Sequence, residues 1–237
     1  VNWLFETEPD PGSANRPHVW PRGKVLGGSS SINGLLYIRG QRQDYDGWRQ
    51  MGCQGWGWDD LEPFFLRSQH QERSGMAGHG TGGPLNVSDV TERHPVSDAV
   101  IDACEQAGIP RNDDVNGPVQ EGACYYQLTV KNGQRHSAAV AYLKPAMKRA
   151  NLTVLTNALV HRVVFEGKRA VGIDYEIKGE VRRAHADGEV ILSGGAVNTP
   201  QLLELSGIGP GKVLSEHGIG VIHDNPTVGE NLQDHYV

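Results

Sequence analysis

The chain has 237 residues, 38% hydrophobic and 21% charged, with 31 glycines and 13 prolines, which is typical of a globular protein and excludes a disordered or fibrous one. Its formal net charge is −6, from 22 basic and 28 acidic side chains, and no long run has a single sign. We therefore expect neither nucleic acid nor an anionic membrane surface as a partner.

The chain shows no apolar run near the roughly 20 residues that span a bilayer and no recognisable signal peptide, so we expect no integral membrane segment. Cys53, Cys104 and Cys124 fit no metal-ligand or redox spacing. They indicate free thiols in a reducing compartment, and we predict a cytoplasmic location. Because the chain begins at Val1 and ends at Val237, we expect an internal fragment of a longer protein.

The first elements are short. Residues 1–40 are rich in Gly, Pro and Ser, which predicts an irregular loop that leads into the apolar segment 32–38. A helix is predicted from Asp59 onward, with Asp59 or Asp60 as its N-cap and Pro63 near its first turn, and it should bury an aromatic face.

Residues 78–83 match the G-x-G-x-x-G pattern of dinucleotide-binding loops. A working fingerprint follows a strand and opens a helix. Here the next residues, 84–87, are typical of the start of a strand instead. We therefore predict that this segment is not a phosphate-binding loop.

The middle of the chain alternates helical and extended patterns. Apolar residues recur at helical spacing from His94 to Gly108, which is a natural stop. Residues 122–130 predict a strand, and residues 137–149 predict a second helix that Pro145 should bend or break.

A sheet is predicted next, from the β-rich runs 152–155, 159–165, 170–177 and 189–192. A short helix follows the last run. Its punctuation is Thr199 as N-cap, Pro200 at the first helical position and Gly207 just past the end.

Residues 22–34, RGKVLGGSSSING, are the segment richest in ligand-binding chemistry. Gly27 and Gly28 let a backbone approach a ligand closely, and the hydroxyls that begin at Ser29 can meet phosphate or ring oxygens. Asn33 offers both a donor and an acceptor. On this chemistry alone, a ligand site and an ordinary loop both remain open.

Residues 22–34 resemble the first signature of the glucose–methanol–choline (GMC) oxidoreductases, and Gly40 and Asp46 fall where that pattern expects them. Residues 195–209 are similar to the second signature. Weaker likenesses occur at residues 79–85, 133–137, 141–143 and 228–235. The chain thus resembles a choline dehydrogenase-like or alcohol dehydrogenase-like member of this flavoprotein family over nearly its whole length.

The resemblance implies an α/β fold, α+β overall, in which a partial Rossmann-like FAD/NAD(P)-binding domain meets part of an antiparallel-sheet substrate domain. Residues 1–85 would form the first part of the FAD-binding domain, with a loop that covers the flavin. Residues 86–149 would belong to the substrate domain, and residues 150–237 would complete the FAD-binding domain.

The resemblance also implies FAD as cofactor and names its contacts: Gly27, Gly28, Ser29, Asn33, Gly34 and Leu36, with the backbone of Val160 at the adenine end. For Leu36 the alternative role is core packing. For Val160 the alternative is a buried strand residue, and it can hold together with the adenine contact. Some relatives tether FAD through a histidine just before the asparagine. This chain has Ile32 there, without a nucleophilic atom, so we expect non-covalent FAD.

The implied reaction is oxidation of the CH–OH group of a choline-like, aryl or aliphatic alcohol, by proton abstraction and hydride transfer to flavin N5. The electron acceptor stays open between oxygen, a quinone and a carrier protein. No catalytic residue or metal ligand is assigned, because the family's base, a His paired with His or Asn, is expected C-terminal to the chain. The pyrophosphate loop is expected before Val1, so the fragment alone should be inactive.

His79, His136 and His235 are expected to be structural or solvated. Two other functions remain open. The first is a non-redox or light-driven relative, such as a hydroxynitrile lyase or a fatty-acid photodecarboxylase. The second is a binding or structural module without catalysis, which a test for bound FAD would separate from the others.

Overall fold

The computed structural model describes residues 1–234, so His235 lies outside the described residues. The chain divides into two compact units, Val1–Thr153 and a second that begins at Val154. Residues 1–85 and 86–149 both lie in the first unit, and their assignment to flavin and substrate domains stays a prediction. Within the described residues, no helix combines the length and hydrophobicity needed to cross a bilayer.

The first unit opens with little regular structure, as predicted. Strands β1 (Phe5–Glu6) and β2 (Val19–Trp20) form an antiparallel pair. Single 3-10 turns occupy Pro11–Ser13 and Gly28–Ser31, and β3 covers only Leu36–Tyr37. Most of this segment therefore depends on contacts other than a regular hydrogen-bond ladder.

Helices α1 (Arg42–Gln50) and α2 (Trp58–Ser68) follow. The predicted N-cap of α2 is wrong, since the helix is capped by Gly57 and not by Asp59 or Asp60. Asp60 still stabilises the first turn, because its Oδ2 accepts a hydrogen bond from the Gly57 amide at 3.1 Å. The acidic side chain works from inside the helix, three residues past the cap.

An aromatic cluster joins these two helices. The buried ring of Tyr45 has the rings of Trp48, Trp58 and Phe65 at centroid distances of 5.3, 5.7 and 5.6 Å. Phe64, by contrast, is 55% exposed. The predicted aromatic face is therefore confirmed only in part: Trp58 and Phe65 are half-buried against Tyr45, whereas Phe64 is exposed.

Strands β4 (Gln69–Gln71) and β5 (Leu85–Val87) pair in parallel. Residues 78–83 lie between them and lead into a strand, which confirms that they are not a phosphate-binding loop. Gly80 has a packing role instead, because a Cβ there would lie 1.8 Å from the carbonyl oxygen of Leu66.

Helix α3 (Pro95–Gln106) begins after His94, as predicted. Its burial differs from the predicted apolar face. Val96 and Val100 are 63% and 56% exposed, whereas Ile101 is the buried residue of the helix. The spacing identified the helix but not the side that packs.

The predicted strand at residues 122–130 forms only at its C-terminal end, as β6 (Gln127–Leu128), which pairs antiparallel with β3. Strands β7 (Val130–Lys131) and β8 (Gln134–Arg135) then make a short hairpin. Residues before Gln127 remain irregular except for one bridge, Arg111 to Ala123. Strand structure thus occurs only where a partner strand is present.

The helix predicted at residues 137–149 departs from α geometry around Pro145, as expected. Residues Ala139–Leu143 form a π-helical turn, and α4 covers only Lys144–Ala146. The amide of Lys144 donates to the carbonyl five residues earlier. This wide turn directly precedes the proline, which has no N–H with which to continue the usual pattern.

The second unit is built on an antiparallel sheet in the order β11–β10–β9: β9 is Leu159–Glu166, β10 is Arg169–Ile177 and β11 is Glu180–His185. Arg162 and Arg183 donate to the carboxylate of buried Asp174 on the central strand, at 2.9 and 2.7 Å. Ion pairing across the strands thus adds to the backbone ladder.

Of the four predicted β-rich runs, 159–165 and 170–177 form strands, whereas 152–155, which crosses the boundary between the units, and 189–192 do not. The last two segments have no neighbouring strand within residues 1–234, and Ile191 is 76% exposed. Strand β11 was not predicted, because its charged residues hide the alternation. A β-rich sequence becomes a strand only when a partner satisfies its backbone.

Helix α5 (Gly195–Leu205) starts about one turn earlier than predicted, with Gly194 as its cap. Thr199 and Pro200 therefore lie inside the helix and do not begin it. The predicted stop is confirmed, since Gly207 follows the helix with a φ of 87°, in the left-handed region that glycine tolerates.

The end of the second unit is short and regular. Strands β12 (Ile208–Gly209) and β13 (His223–Asp224) pair in parallel on either side of α6 (Gly211–Glu216). Leu214, 1% exposed, anchors α6 in the core of this unit. Together, the two units confirm a mixed α/β fold.

Candidate functional site

The predicted ligand loop has a left-handed backbone at both of its adjacent glycines, with φ of 89° at Gly27 and 55° at Gly28. A Cβ on Gly27 would lie 2.5 Å from the hydroxyl of Ser31 and 3.1 Å from Ala139. A Cβ on Gly28 would meet no atom within 4 Å. One glycine is therefore required for packing, and the next leaves open space beside the backbone.

The serine hydroxyls are engaged within the protein. Ser29 Oγ accepts from the Gly23 amide at 3.1 Å. Ser30 Oγ donates to the Gly27 carbonyl at 2.5 Å and accepts from the Ala138 amide at 2.9 Å. These side chains shape the loop and hold it to a distant segment, and the predicted flavin contact of Ser29 stays a prediction.

Asn33 has one engaged end and one open end. Its Oδ1 accepts from the Leu35 amide at 3.1 Å and from Arg135 Nη1 at 2.7 Å. No hydrogen bond within residues 1–234 uses its Nδ2, and the side chain is exposed. The amide nitrogen of Asn33 is therefore available to a ligand as a donor.

Leu35 holds a strained backbone next to this asparagine. Its φ is 71°, a left-handed value that is rare for a leucine. Thr129 fixes the conformation, because its amide and its hydroxyl donate to the Leu35 carbonyl at 2.8 and 3.1 Å. Strain of this kind concentrates at functional sites.

Beyond Leu35 the loop is open again. A Cβ on Gly34 would meet nothing within 4 Å, and Leu36 is 52% exposed. Leu36 also lines a groove of about 390 Å³ together with Val96, Val100, Cys124, Tyr126 and Leu128. The loop therefore ends at an exposed apolar side chain that also lines an apolar groove.

The predicted contacts in the first unit lie on one stretch of backbone: Gly27, Gly28, Ser29, Asn33, Gly34 and Leu36. Their supports come from residues 129–139, of which only 133–137 had been noticed in the sequence. Val160 lies half-buried on β9 of the second unit, where it pairs with Tyr175. No local pattern marks Thr129 or Ala139, because their contacts reach about 100 residues along the chain.

His79 is enclosed in a buried polar network. Its side chain is 1% exposed, its Nδ1 lies 3.0 Å from Gln69 Nε2, and its Nε2 lies 3.0 Å from the Asp114 carboxylate. Gln69 also binds Arg39, which is 5% exposed and which no sequence pattern marks. Both ring nitrogens are occupied, so His79 has a structural role.

His136 is also buried and engaged. Its Nδ1 accepts from the Asn86 amide at 3.1 Å, which places the ring proton on Nε2. Burial, with a smaller contribution from the charge of Lys131, lowers the pKa of His136 below its usual value. The neutral ring therefore serves as a backbone acceptor. Among residues 1–234, no three His, Cys, Asp or Glu side chains are grouped to hold a metal ion.

Comparisons with known proteins cover nearly the whole chain. The family model for GMC oxidoreductases matches residues 11–237. The chain is 47% identical to the mitochondrial choline dehydrogenase of Homo sapiens, over 99% of this chain and 39% of that protein. It is also 47% identical to an alcohol dehydrogenase [acceptor] of Pseudomonas putida, over 99% of this chain and 43% of that protein.

A solved structure shares the fold. An FAD-dependent oxidoreductase from Chaetomium thermophilum superposes with a TM-score of 0.91 at 31% identity, over 98% of this chain and 43% of that one. The chain thus spans about two fifths of the length of the relatives that it matches. Since the family model covers nearly the whole sequence, the chain belongs to the GMC oxidoreductase family.

Proposed function

We propose that this chain forms part of an FAD-dependent oxidoreductase that oxidises the CH–OH group of an alcohol. The observation that carries the proposal is the loop from Gly27 to Leu36, which distant residues hold in place and which leaves open space beside Gly28 and Gly34. The choline and alcohol dehydrogenases among its relatives support an alcohol as substrate.

The residues of the loop fit a flavin. Gly28 and Gly34 leave space into which a flat ring system can come against the backbone, and Asn33 Nδ2 supplies a donor for a ring nitrogen or carbonyl. Leu36, an exposed apolar side chain two residues after Gly34, offers an apolar contact. We infer that these residues, with Ser29 as a support of the loop, hold the isoalloxazine end, and that the Val160 backbone meets the adenine end.

When bound, FAD supplies the hydride-accepting chemistry. The task of this chain is to orient and enclose. Tight backbone anchoring by Thr129 and Ala138 keeps Asn33 and Gly34 in one geometry, so that no reorganisation is needed when the alcohol reacts. Neither His79 nor His136 is proposed as the base: both ring nitrogens of His79 have partners, and His136 is buried and accepts from the Asn86 amide through Nδ1.

We propose that FAD is bound without a covalent link, since the hydrocarbon side chain of Ile32 stands where a tethering histidine would be needed. Denaturing the flavin-loaded enzyme with acid should release all of the yellow colour into the supernatant. Colour retained in the precipitated protein would contradict this.

We further propose a cytoplasmic location, supported by three free thiols, of which Cys53 is exposed and would be open to oxidation outside a reducing compartment. Fractionation of the source cells, followed by detection with an antibody against this chain, would test it. Recovery in an organelle would contradict it.

Assays with oxygen, quinones and carrier proteins would identify the electron acceptor.

The function is tested with the protein encoded by the complete reading frame. The purified enzyme should contain FAD. Adding an alcohol in the absence of oxygen should bleach the absorbance of the bound flavin. Asn33→Ala should weaken FAD binding or slow bleaching by about 5- to 150-fold, the equivalent of about 1–3 kcal/mol for a lost buried amide hydrogen bond.

Asn151→Ala is the matched control, because Asn151 is exposed and outside the loop. Bound FAD without bleaching by any alcohol would contradict the redox function and favour a non-redox or light-driven relative. A full-length protein that binds no FAD would favour a structural module.

A further inference from the structure

The loop receives one positive charge from a distant part of the chain. Arg135, at the end of β8, donates from Nη1 to Asn33 Oδ1 at 2.7 Å and to the Ser30 carbonyl at 3.1 Å. The two contacts span 102 and 105 residues of sequence. Within residues 1–234, no ion pair joins this half-buried guanidinium to a carboxylate.

The contact with Arg135 decides which way the Asn33 amide points. Two donors, Arg135 Nη1 and the Leu35 amide, converge on the same side-chain atom, which must therefore be the carbonyl oxygen. The Nδ2 group is then turned away from these two donors and is left without a hydrogen-bond partner in residues 1–234. Without Arg135, only the Leu35 amide would remain, and the side chain could rotate.

Charge adds to geometry. A guanidinium hydrogen-bonded to an amide oxygen polarises the amide, which strengthens its N–H as a donor. Reduction of a flavin adds negative charge, and a nearby cation without a carboxylate partner favours the reduced form. The first effect would reach the ligand through the Asn33 amide. The second would come from the charge of Arg135 itself, next to Asn33.

Apart from the Ser30 carbonyl, to which Arg135 also donates, the other anchors of the loop do not involve this arginine. Ser30 Oγ still binds the Gly27 carbonyl and the Ala138 amide, and Thr129 still holds Leu35. Loss of the Arg135 side chain should therefore alter the donor and the charge at the open face more than the fold.

We propose that Arg135 is a positioning residue of the flavin site, which holds Asn33 with its amide nitrogen toward the cofactor and raises the flavin reduction potential. The proposal rests on the proposed function of the loop. It assigns to the segment 133–137 a role in tuning a cofactor that Arg135 itself does not have to touch.

The test uses the full-length flavin-loaded enzyme in four forms: wild type, Arg135→Met, Asn33→Ala and the double variant. Three quantities are measured for each: FAD affinity by fluorescence titration of the apoprotein, the flavin midpoint potential against reference dyes, and the thermal unfolding midpoint. Arg182→Met, which removes an exposed cation on β11, is the control.

Arg135→Met should weaken FAD binding about tenfold, lower the midpoint potential and change unfolding little. The double variant should bind FAD no more weakly than Asn33→Ala alone, because one side chain acts through the other. Arg135→Lys should restore much of the potential but not the affinity, since it keeps the charge and loses the fork. It also serves if Arg135→Met does not fold.

Additive losses in the double variant would overturn the proposal. So would an unchanged potential in Arg135→Met and Arg135→Lys while Asn33→Ala loses flavin, and in that case the loop assignment would survive. If Asn33→Ala itself kept wild-type affinity and potential, the proposed function of the loop would fail and the role of Arg135 with it.

Discussion

The loop at residues 27–36 and the sheet β9–β11 show two ways in which this chain fixes its backbone. The sheet joins neighbouring strands through tight turns, and its backbone groups are used by the ladder. The loop is irregular, with positive φ at Gly27, Gly28 and Leu35, and is held by residues about 100 positions away. Because the loop is held in place without a backbone hydrogen-bond ladder, some of its polar groups, such as Asn33 Nδ2, remain available to a ligand.

The two regions also use charge differently. In the sheet, Arg162 and Arg183 both serve the Asp174 carboxylate. At the loop, Arg135 donates only to neutral oxygens. A cation that a carboxylate has neutralised contributes to stability, whereas one that binds only neutral groups keeps its field for a partner.

The largest effect of a substitution on the loop is expected at Gly23. A Cβ there would lie 2.3 Å from the backbone of Gly28, so Gly23→Ala should destabilise the first unit by about 1–3 kcal/mol or more and abolish FAD retention. Gly47→Ala, where a Cβ meets nothing within 4 Å, is the control in α1. Thermal unfolding and flavin content give the answer, and a Gly23→Ala protein as stable and as yellow as wild type would contradict the loop geometry.

A substitution with a smaller expected effect separates FAD binding by the loop from the stability of the fold. Gly34→Ala adds a methyl group where nothing lies within 4 Å, so unfolding should be unchanged, yet FAD affinity should fall about 5- to 150-fold because the methyl group occupies the ligand's space. Gly188→Ala, equally unhindered in the second unit, should change neither quantity. Unchanged FAD affinity in Gly34→Ala would place the cofactor elsewhere.

The sheet should respond to acid. Hydrogen bonds from Arg183, then from Arg162, lower the pKa of Asp174 to about 2. An unfolded Asp has a pKa near 3.9, so this contribution to stability is present above about pH 4 and is lost as the pH falls from about 4 to about 2. Asp174→Asn should lower stability at pH 7 and flatten the acid dependence in urea titrations. Exposed Asp187→Asn should do neither, and equal pH profiles for wild type and Asp174→Asn would contradict the ion-pair account.

The smallest effect is expected at His136, behind the loop. Its pKa is lowered by burial, so its stabilising contribution is complete above the unfolded value of about 6.5 and decreases as the pH falls below it. Unfolding midpoints of the wild type should therefore drop slightly between pH 8 and 5.5. His136→Gln should lose that part of the drop, and an identical slope would exclude the histidine as its source.

The same contrast explains what the sequence could and could not predict. Helix α3 and strands β9 and β10 were found because their patterns are local. Residues 189–192 were misassigned because no partner strand is present in residues 1–234, and β11 was missed because its charged side chains hide the alternation. Propensity describes one segment, whereas a strand is a property of two.

The candidate site follows the same rule. Gly27, Gly28 and Asn33 stand out through composition and through their resemblance to a family signature. Thr129 does not stand out, and Arg135 falls in a weaker likeness that gave it no role, because both roles exist only after the chain brings together segments about 100 residues apart. The intramolecular contacts of the Ser29 and Ser30 hydroxyls with Gly23 and Gly27 were likewise not predicted, and the flavin contact of Ser29 stays a prediction.

The central claim, that the open face of residues 27–36 receives the flavin, is tested most directly by hydrogen exchange of the backbone amides. The full-length apoprotein and the FAD-loaded enzyme would be compared peptide by peptide. We predict that FAD slows exchange across residues 27–36, with little change in the hairpin β7–β8 that already supports the loop. Equal exchange of residues 27–36 with and without FAD would contradict the account.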